Sequence, residues 1–186
     1  MRIISGNFKG KKLFLPNDKN TRPLKDLVKE SIFNLIQHSN KIKVKIENSF
    51  VLDLFSGSGS FGIECLSRGA KNVIFFENYQ AAIDILQKNI NSMKKVINYK
   101  IFKNDCFIYF NSDQKINSKF DIIFIDPPYK ELKINEIIEK IIEKNLLNKN
   151  GVIIIHRHKK DNIKLTKKIN IFENRTYGLS KIYFGN

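Results

Sequence analysis

The chain has 186 residues, of which 42% are hydrophobic and 27% are charged, and these proportions exclude an intrinsically disordered protein. It contains no apolar run near the roughly 20 residues of a membrane span, no signal-peptide pattern at its start, and no metal-type spacing of Cys65 and Cys106. The formal charge of +15 favours a polyanionic partner such as nucleic acid, although heavy use of Lys, Ile and Asn also fits a compositional bias. We expect one reduced, cytoplasmic, monomeric domain with no metal and no membrane attachment.

The first 40 residues are predicted to form a small β-hairpin followed by a helix. The hairpin strands are expected at Arg2–Ser5 and Lys12–Leu15, with glycines between them. Apolar residues then recur at helical spacing, which predicts an amphipathic helix over Asp26–Gln37. Residues 38–49 are polar and basic and are expected to form a loop.

From residue 50 onward, short apolar runs alternate with helical patterns. Strands are predicted at Phe50–Leu54, Asn72–Phe76, Tyr99–Phe102, Phe120–Ile125, Gly151–Ile155, Lys168–Phe172 and Leu179–Phe184, and helices at Ser60–Arg68, Gln80–Met93 and Ile134–Asn145. Such alternation predicts an α/β, Rossmann-like, doubly wound sheet over residues 50–186, with helices on both faces. Ligands of such sheets bind at the carboxyl ends of the strands.

A glycine-rich loop follows the first of these strands. Gly57, Gly59 and Gly62 fit the pattern G-x-G-x-x-G. In this pattern the first glycine permits a tight turn, the second a close approach of backbone to ligand, and the third close packing of helix on sheet. Nicotinamide-dependent enzymes share the pattern, and a plain glycine-rich turn also fits it. The loop therefore predicts a cofactor site without identifying the cofactor.

The tetrapeptide Asp126-Pro127-Pro128-Tyr129 follows the fourth strand at its carboxyl end. An exocyclic amine of a nucleobase is a poor nucleophile, because its lone pair is delocalised into the ring. Two fixed acceptors, the Asp126 carboxylate and the Pro127 carbonyl oxygen, can align such an amine, and Tyr129 offers a ring on which the base stacks. These four residues are therefore predicted to be the catalytic residues of an amino-methyltransferase that uses S-adenosyl-L-methionine. A proline turn that merely ends a strand is the alternative.

Polar side chains at the ends of other strands extend the cofactor prediction. Asp53 would face the cationic amino group at the methionine end of the cofactor. Glu77 ends the second strand, where a carboxylate can accept hydrogen bonds from two ribose hydroxyl groups. Asp105 could accept one from the adenine amine, or cap a helix. The predicted cofactor-binding residues are Asp53, Phe55, Gly57, Gly59, Glu77, Asn104, Asp105 and Cys106.

The chain resembles the RsmD-type small-subunit rRNA guanine-N2 methyltransferases over nearly its whole length. The opening RIISGNFKGKKL, which starts at Arg2, carries the resemblance together with Arg22-Pro23 and the segment DLVKESIFN from Asp26. Amino-methyltransferases of other kinds lack these blocks. The glycine loop, the acidic residues after it and the tetrapeptide extend the resemblance towards the C-terminus.

The resemblance implies a seven-stranded class I methyltransferase fold with strand order 3-2-1-4-5-7-6 and one antiparallel strand. It implies methylation of N2 of guanine 966 in 16S rRNA, on assembled or nearly assembled small ribosomal subunits. The N-terminal hairpin and the Arg22 region would contact the RNA and cover the site. The implied RNA-binding residues are Arg2, Lys9, Lys11, Arg22 and Lys29.

Four positions depart from the family pattern, among them Leu24, where a threonine is common, and Lys29, which keeps the charge of the usual arginine but not its bidentate geometry. Leu27 stands where an arginine is common, which removes one charge from the RNA-contacting region. His156 stands where an acidic residue is usual. His156 and His158 alternate along one strand, and we expect both rings to be solvated or to face RNA.

Three other functions fit some of these features. A DNA or RNA amino-methyltransferase acting on adenine N6 or cytosine N4 could use the same tetrapeptide, and only the N-terminal blocks argue against it. A non-catalytic RNA-binding assembly factor could keep the fold, although the intact Asp126 and glycine loop speak against it. A nicotinamide dehydrogenase would leave the tetrapeptide without a task.

Overall fold

The computed structural model describes residues 1–18, 23–94, 96–114 and 116–186. Within these ranges the strands are β1 (Phe50–Leu54), β2 (Asn72–Phe76), β3 (Tyr99–Phe102), β4 (Phe120–Ile125), β5 (Leu147–His158), β6 (Ile171–Tyr177) and β7 (Ser180–Gly185). The helices are α1 (Asp26–His38), α2 (Ser60–Ser67), α3 (Gln80–Asn91), α4 (Cys106–Asn111) and α5 (Ile134–Glu143). No helix in the described part of the chain is long and apolar enough to cross a bilayer.

The strands form a seven-stranded sheet in the order β3-β2-β1-β4-β5-β7-β6. The strands from β3 to β5 in this order pair in parallel, whereas β7 runs antiparallel to both β5 and β6. The predicted strand order and the single antiparallel strand are therefore confirmed. The direction of winding reverses between β1 and β4, and the carboxyl ends of these strands flank the kind of crevice in which α/β proteins bind ligands.

Strand β4 shows why the centre of the sheet is buried on both faces. Ile122 and Phe124 belong to an apolar cluster with residues of α1, α2 and α3, whereas Ile123 and Ile125 belong to a second cluster with residues of α4 and α5. Alternate residues of a strand face opposite sides of the sheet, so a continuous apolar run marks a central parallel strand. The isoleucines of α5, spaced along one helical stripe, cover the second face.

Strands β5 and β6 differ from their predicted bounds because pairing extends beyond the apolar runs. β5 begins at Leu147, which pairs with Phe120 ahead of a register shift. It continues to His158, because its antiparallel pairing with β7 extends that far. The strand predicted at Lys168–Phe172 lies instead at Ile171–Tyr177, where it pairs with β7.

Two short elements also differ from the sequence prediction. Helix α4 was not expected, because its six residues are too few to show a helical period. The N-terminal hairpin is narrower than predicted and contains a single antiparallel bridge, between Arg2 and Lys12. Backbone hydrogen bonds on either side of this bridge, such as that from the N–H of Ile3 to the Lys11 carbonyl oxygen at 2.9 Å, hold the turn closed.

A buried charged cluster holds the N-terminal segment against α2. The fully buried carboxylate of Glu64 accepts hydrogen bonds from the backbone N–H groups of Ile4 at 2.7 Å and Ser5 at 2.9 Å. Its Oε1 also accepts a hydrogen bond from the Arg68 Nε at 2.7 Å, and its Oε2 lies 3.8 Å from the Lys29 Nζ. A single carboxylate thus joins α1, α2 and the start of the chain.

Lys29 was implied as an RNA contact, and the structure corrects this. Its side chain is fully buried, and its ammonium donates hydrogen bonds to the Arg2 carbonyl oxygen at 2.7 Å and to the Ser60 Oγ at 3.1 Å. Burial lowers the pKa of Lys29, and the carboxylates of Glu64 and Asp26 partly oppose this effect. An ammonium enclosed in this way cannot reach a phosphate, so it docks the N-terminal segment instead.

Replacing Glu64 by Gln removes the charge that faces the buried ammonium of Lys29. We expect the Glu64→Gln change to lower the free energy of unfolding by about 3–5 kcal/mol, the usual cost of removing one partner of a buried ion pair. Urea unfolding measures the change, and the exposed Glu143→Gln change on α5 serves as the matched control. If the two variants prove equally stable, the cluster does not hold the N-terminal segment in the way described.

Candidate active site

A cleft of about 470 Å³, within the size range of small-molecule sites, opens at the carboxyl ends of β1, β2 and β4. Its walls are the glycine loop, the segment after β2, the tetrapeptide after β4 and part of the N-terminal segment. The lining residues are Leu15, Pro16, Asp18, Pro23, Leu24, Asp53, Phe55, Ser56, Gly57, Ser58, Ser60, Phe61, Glu77, Asn78, Tyr79, Phe124, Asp126, Pro127, Pro128 and Tyr129. The cleft therefore brings together four of the eight predicted cofactor residues, Asp53, Phe55, Gly57 and Glu77, and the whole tetrapeptide.

The three glycines of the loop have different tasks. Gly57 has a φ of +56°, in the left-handed region, and a Cβ there would meet no atom within 4 Å, so its backbone is open towards the cleft. A Cβ on Gly62 would lie 2.3 Å from the Phe75 ring, in agreement with the predicted close packing of helix on sheet. Gly59 has a φ of +80°, also in the left-handed region, and a Cβ there would lie 2.2 Å from the Leu86 Cδ1. It is not among the residues that line the cleft, and its contact with the cofactor stays a prediction.

Asp53 places a buried carboxylate at the base of the cleft. It is 1% exposed, and its Oδ2 accepts a hydrogen bond from the N–H of Gly62 at 2.9 Å. Burial raises the pKa of Asp53 well above its usual range; the Gly62 N–H opposes this effect, and the carboxylates of Asp126 and Glu77 add to it. Three carboxylates around one cleft favour a ligand that carries a positive charge.

Glu77, directly after β2, is held by backbone N–H groups at the mouth of the cleft. Its Oε2 accepts a hydrogen bond from Gly57 at 2.7 Å, and its Oε1 accepts hydrogen bonds from Asn78 and Tyr79 at 3.0 Å each. These contacts connect the end of β2 to the turn of the glycine loop. An ionised carboxylate has about four acceptor positions, so Glu77 can also accept a hydrogen bond from a ligand hydroxyl.

Asn104, Asp105 and Cys106 are not among the residues that line the cleft, and their contact with the cofactor stays a prediction. Asp105 caps α4, where its Oδ1 accepts a hydrogen bond from the N–H of Phe107 at 2.7 Å. Its Oδ2 accepts another from the Asn78 Nδ2 at 3.0 Å. Cys106 is buried, and burial raises the pKa of its thiol. The structure thus confirms the helix cap at Asp105, a role that is compatible with a hydrogen bond from the adenine amine.

Two residues of β5, His156 and Arg157, hold the tetrapeptide in place. The sequence prediction places His156 wrongly and does not include Arg157. The Asp126 Oδ1 lies 2.8 Å from the Nδ1 of His156, which is 2% exposed. The prediction of a solvated or RNA-facing His156 is therefore wrong. Arg157, also buried, donates hydrogen bonds to three backbone carbonyl oxygens of residues 128–131. The sequence contains a signal for the contact between His156 and Asp126. Two strands are predicted to end at Ile125 and Ile155, and the residues that follow adjacent parallel strands at the same level lie side by side.

The N-terminal segment is tied to the glycine loop through the fully buried Asn89 of α3. The Asn89 Nδ2 donates hydrogen bonds to the carbonyl oxygens of Phe14 and Ser58, both at 3.0 Å, and its Oδ1 accepts one from the N–H of Phe14 at 2.7 Å. At the other end of the segment, the Tyr79 hydroxyl donates to the Asp18 Oδ2 at 3.3 Å. Nothing in the sequence marks Asn89, which lies within an ordinary helical pattern.

The basic residues implied as RNA contacts lie in different environments. Arg2 and Lys9 are exposed, whereas Lys11 is half-buried and its Nζ donates a hydrogen bond to the Ser92 carbonyl oxygen at 2.5 Å. Arg22 lies outside the described residues. Within the described ranges, no group of three or more His, Cys, Asp or Glu side chains could hold a metal ion.

Comparison with known proteins shows similarity along the whole chain. A family described as "Conserved hypothetical protein 95" matches residues 1–186. The chain is 33% identical over 187 residues to the ribosomal RNA small subunit methyltransferase D of Buchnera aphidicola subsp. Baizongia pistaciae, covering 99% of this chain and 89% of that protein. It is 34% identical over 185 residues to YlbH of Bacillus subtilis, a candidate rRNA methyltransferase, covering 98% and 96%.

The fold is also similar to that of a solved structure. The structure of yhhF, a candidate methyltransferase from Escherichia coli, matches with a TM-score of 0.82 at 24% identity, covering 100% of this chain and 96% of that chain. The predicted Rossmann-like class I methyltransferase fold is thereby confirmed.

Replacing Asn89 by Leu removes the hydrogen bonds to Phe14 and Ser58 while keeping a side chain of similar size. We expect Asn89→Leu to lower the free energy of unfolding by about 1–3 kcal/mol, because buried backbone groups lose their partners. Hydrogen exchange of residues 11–18 should become faster, as mass spectrometry can measure. The exposed Asn91→Leu change on the same helix is the control. Equal exchange rates in both variants would show that Asn89 does not hold the N-terminal segment in place.

Proposed function

Since the chain belongs to the family of the ribosomal RNA small subunit methyltransferase D proteins, we propose that it is an S-adenosyl-L-methionine-dependent rRNA methyltransferase. The observation that supports this most is that the tetrapeptide and the glycine loop line the same cleft. An amine-binding group and a cofactor-binding loop must share one cavity for methyl transfer. A nicotinamide dehydrogenase would need the glycine loop but would have no use for the tetrapeptide beside it.

The residues of the cleft fit S-adenosylmethionine. Glu77 can accept hydrogen bonds from the ribose hydroxyl groups. If both hydroxyl groups bind, it gives up one of its present hydrogen bonds from the backbone. Phe55, with a φ of 60° and its ring 5.8 Å from that of Phe107, offers an apolar surface for the adenine. Asp53 lies where it could meet the cationic amino group of the methionine end. When bound, the cofactor supplies an electrophilic methyl group on a sulfonium centre.

The tetrapeptide would bind and orient the amine that is methylated. The Asp126 carboxylate and the Pro127 carbonyl oxygen each accept a hydrogen bond from the amine, which draws the nitrogen towards tetrahedral geometry and localises its lone pair for attack on the methyl group. Tyr129 stacks on the base, a contact worth about 1–3 kcal/mol in related aromatic–base pairs. The nitrogen becomes more acidic as it is methylated, so its proton can leave through the carboxylate or to water.

We extend the proposal to N2 of guanine 966 in 16S rRNA as the acceptor, and to a cytoplasmic monomer that acts on the small ribosomal subunit. The support for this extension is family membership and the N-terminal blocks, since the tetrapeptide suits other exocyclic amines equally well. The net charge of +15 and the exposed Arg2 and Lys9 favour a phosphate-rich partner. Asp105 accepts a hydrogen bond from Asn78, a residue of the cleft wall, so Asp105 and its neighbours Asn104 and Cys106 could contribute to the cofactor site from there.

The test is methyl transfer from labelled S-adenosylmethionine to small ribosomal subunits from a strain that lacks this enzyme. We expect label on one guanine of 16S rRNA, which primer extension and mass spectrometry locate. Single-stranded DNA and free RNA are added in competing reactions. Label on adenine N6 or cytosine N4 would reject the proposed acceptor, and binding of the subunit without any transfer would favour the assembly factor.

Asp126→Asn keeps the shape of the side chain but replaces a charged acceptor by a neutral amide. We expect turnover to fall by at least about 100-fold, the usual loss when a preorganised electrostatic group is removed from a transition state. The dissociation constant for the cofactor should change little, as calorimetry can show. Asp113→Asn, at an exposed position, is the control. A variant that turns over at a normal rate would contradict the proposed acceptor.

Asp53 makes cofactor binding depend on pH. Burial raises the pKa of Asp53 in the free protein, whereas a cationic ligand favours the carboxylate, so binding releases a proton where Asp53 is protonated. Affinity should therefore rise with pH until the pH exceeds the pKa of Asp53 in the free protein, and remain constant above it. Calorimetry across pH gives this dependence for the wild type, and Asp53→Asn should remove it. If the cofactor affinity of Asp53→Asn depends on pH as strongly as that of the wild type, the Asp53 carboxylate is not the group that causes the dependence.

A further inference from the structure

We propose that the last three residues of β5, His156, Arg157 and His158, hold the tetrapeptide in position, and we call them the template. His156 fixes the Asp126 carboxylate, and Arg157 fixes the main chain that carries Tyr129. The inference rests on the proposed function, because it concerns how the groups that bind the amine are held in place. Both are positioning residues, since they act through the tetrapeptide rather than on the substrate.

The contact between His156 and Asp126 follows from strand register. Ile125 of β4 pairs with Ile155 of β5, so the next residue of each strand stands beside the other. The His156 Nδ1 lies 2.8 Å from the Asp126 Oδ1, and the His156 side chain is 3% exposed. An ionised carboxylate only accepts hydrogen bonds, so the Nδ1 carries the hydrogen. This bond fixes the rotation of the carboxyl group, a torsion that is otherwise soft, and thereby the direction of Oδ2.

Arg157 holds the backbone of the loop that follows Asp126. Its Nη1 lies 3.4 Å from the Pro128 carbonyl oxygen, and its Nη2 donates to the carbonyl oxygens of Tyr129 at 3.1 Å and Glu131 at 3.0 Å. The Arg157 Nε is anchored by the Asp161 Oδ2. A guanidinium presents five donors in one rigid plane, which a lysine cannot reproduce.

The two prolines explain why carbonyl oxygens are the point of attachment. Pro127 and Pro128 have no backbone N–H, so the segment that leaves the sheet after Asp126 cannot be held through those donors. Carbonyl oxygens are the polar backbone groups that every residue of the segment keeps. A buried guanidinium that collects three of them therefore fixes the direction in which the loop leaves β4.

His158 completes the template on the side of His156. Its ring centroid lies 4.8 Å from that of Tyr129, at an interplanar angle of 73°, in an edge contact. Alternate residues of a strand face the same side, which places His156 and His158 together and Arg157 opposite them. Three consecutive residues of β5 therefore contact the carboxylate, the backbone and the aromatic ring of the tetrapeptide segment.

The first test compares two substitutions of His156. Asn places an amide N–H near the position of Nδ1, whereas Leu removes the donor at similar bulk. We expect His156→Leu to lower kcat by about 100-fold with little change in cofactor affinity, and His156→Asn to recover most of that loss, because a misplaced catalytic group of this kind costs about that factor. A kcat near the wild-type value in His156→Leu, or equal losses in both variants, would overturn this part of the proposal.

The second test needs no RNA substrate and so separates the template from the proposed function. We expect Arg157→Lys to speed amide exchange in residues 126–133 by about tenfold, with the rest of the sheet unchanged. Arg175→Lys, at a half-exposed site on the edge strand β6, is the matched control. Asp161→Asn replaces Arg157→Lys if that variant fails to fold. Exchange equal to the control refutes the template, whereas a wild type that transfers no methyl group to the subunit refutes the proposed function alone.

Discussion

The side-by-side register of β1, β4 and β5 is the constraint on which the site depends. Leu54 pairs with Ile125, and Ile125 pairs with Ile155, so β1 and β4 end at one level, beside the point where β5 continues from Ile155 to His158. The N–H of Asp126 donates to the Leu54 carbonyl oxygen at 3.3 Å, which continues the pairing one residue past β4. A slip by one residue would turn every side chain of a strand to the other face and would separate Asp126 from His156.

The N-terminal segment links stability to the shape of the cleft. Its described residues, 1–18, contribute one wall of the cavity, yet they pair with no strand of the main sheet and contain a single β-bridge of their own. Fully buried polar residues hold it: Glu64 on α2 and Lys29 on α1 bind the start of the segment, and Asn89 on α3 binds Phe14. Since buried polar groups are costly unless their partners are in place, loss of any of these contacts should loosen the cleft wall before the sheet itself unfolds.

The sequence predicts local features well and distant contacts poorly. Strand β4 is predicted to the residue because both its faces are apolar, and Asp126 and Gly57 are predicted to share a cleft because both follow central strands. The RNA contact implied for Lys29 is wrong because its surroundings, the buried carboxylate of Glu64 among them, come from another helix. Nothing in the sequence marks Arg157, since only the register of β4 and β5 brings its guanidinium to the backbone of the tetrapeptide.

The most direct measurement is a structure of the protein bound to S-adenosylhomocysteine and an RNA hairpin that carries the acceptor guanine. The cofactor product should occupy the cleft between Glu77 and Asp53. The N2 amine should lie within about 3 Å of both an Asp126 carboxylate oxygen and the Pro127 carbonyl oxygen, the distance of a hydrogen bond. An amine held by other groups, or a product bound away from the glycine loop, would contradict the proposed chemistry of the tetrapeptide.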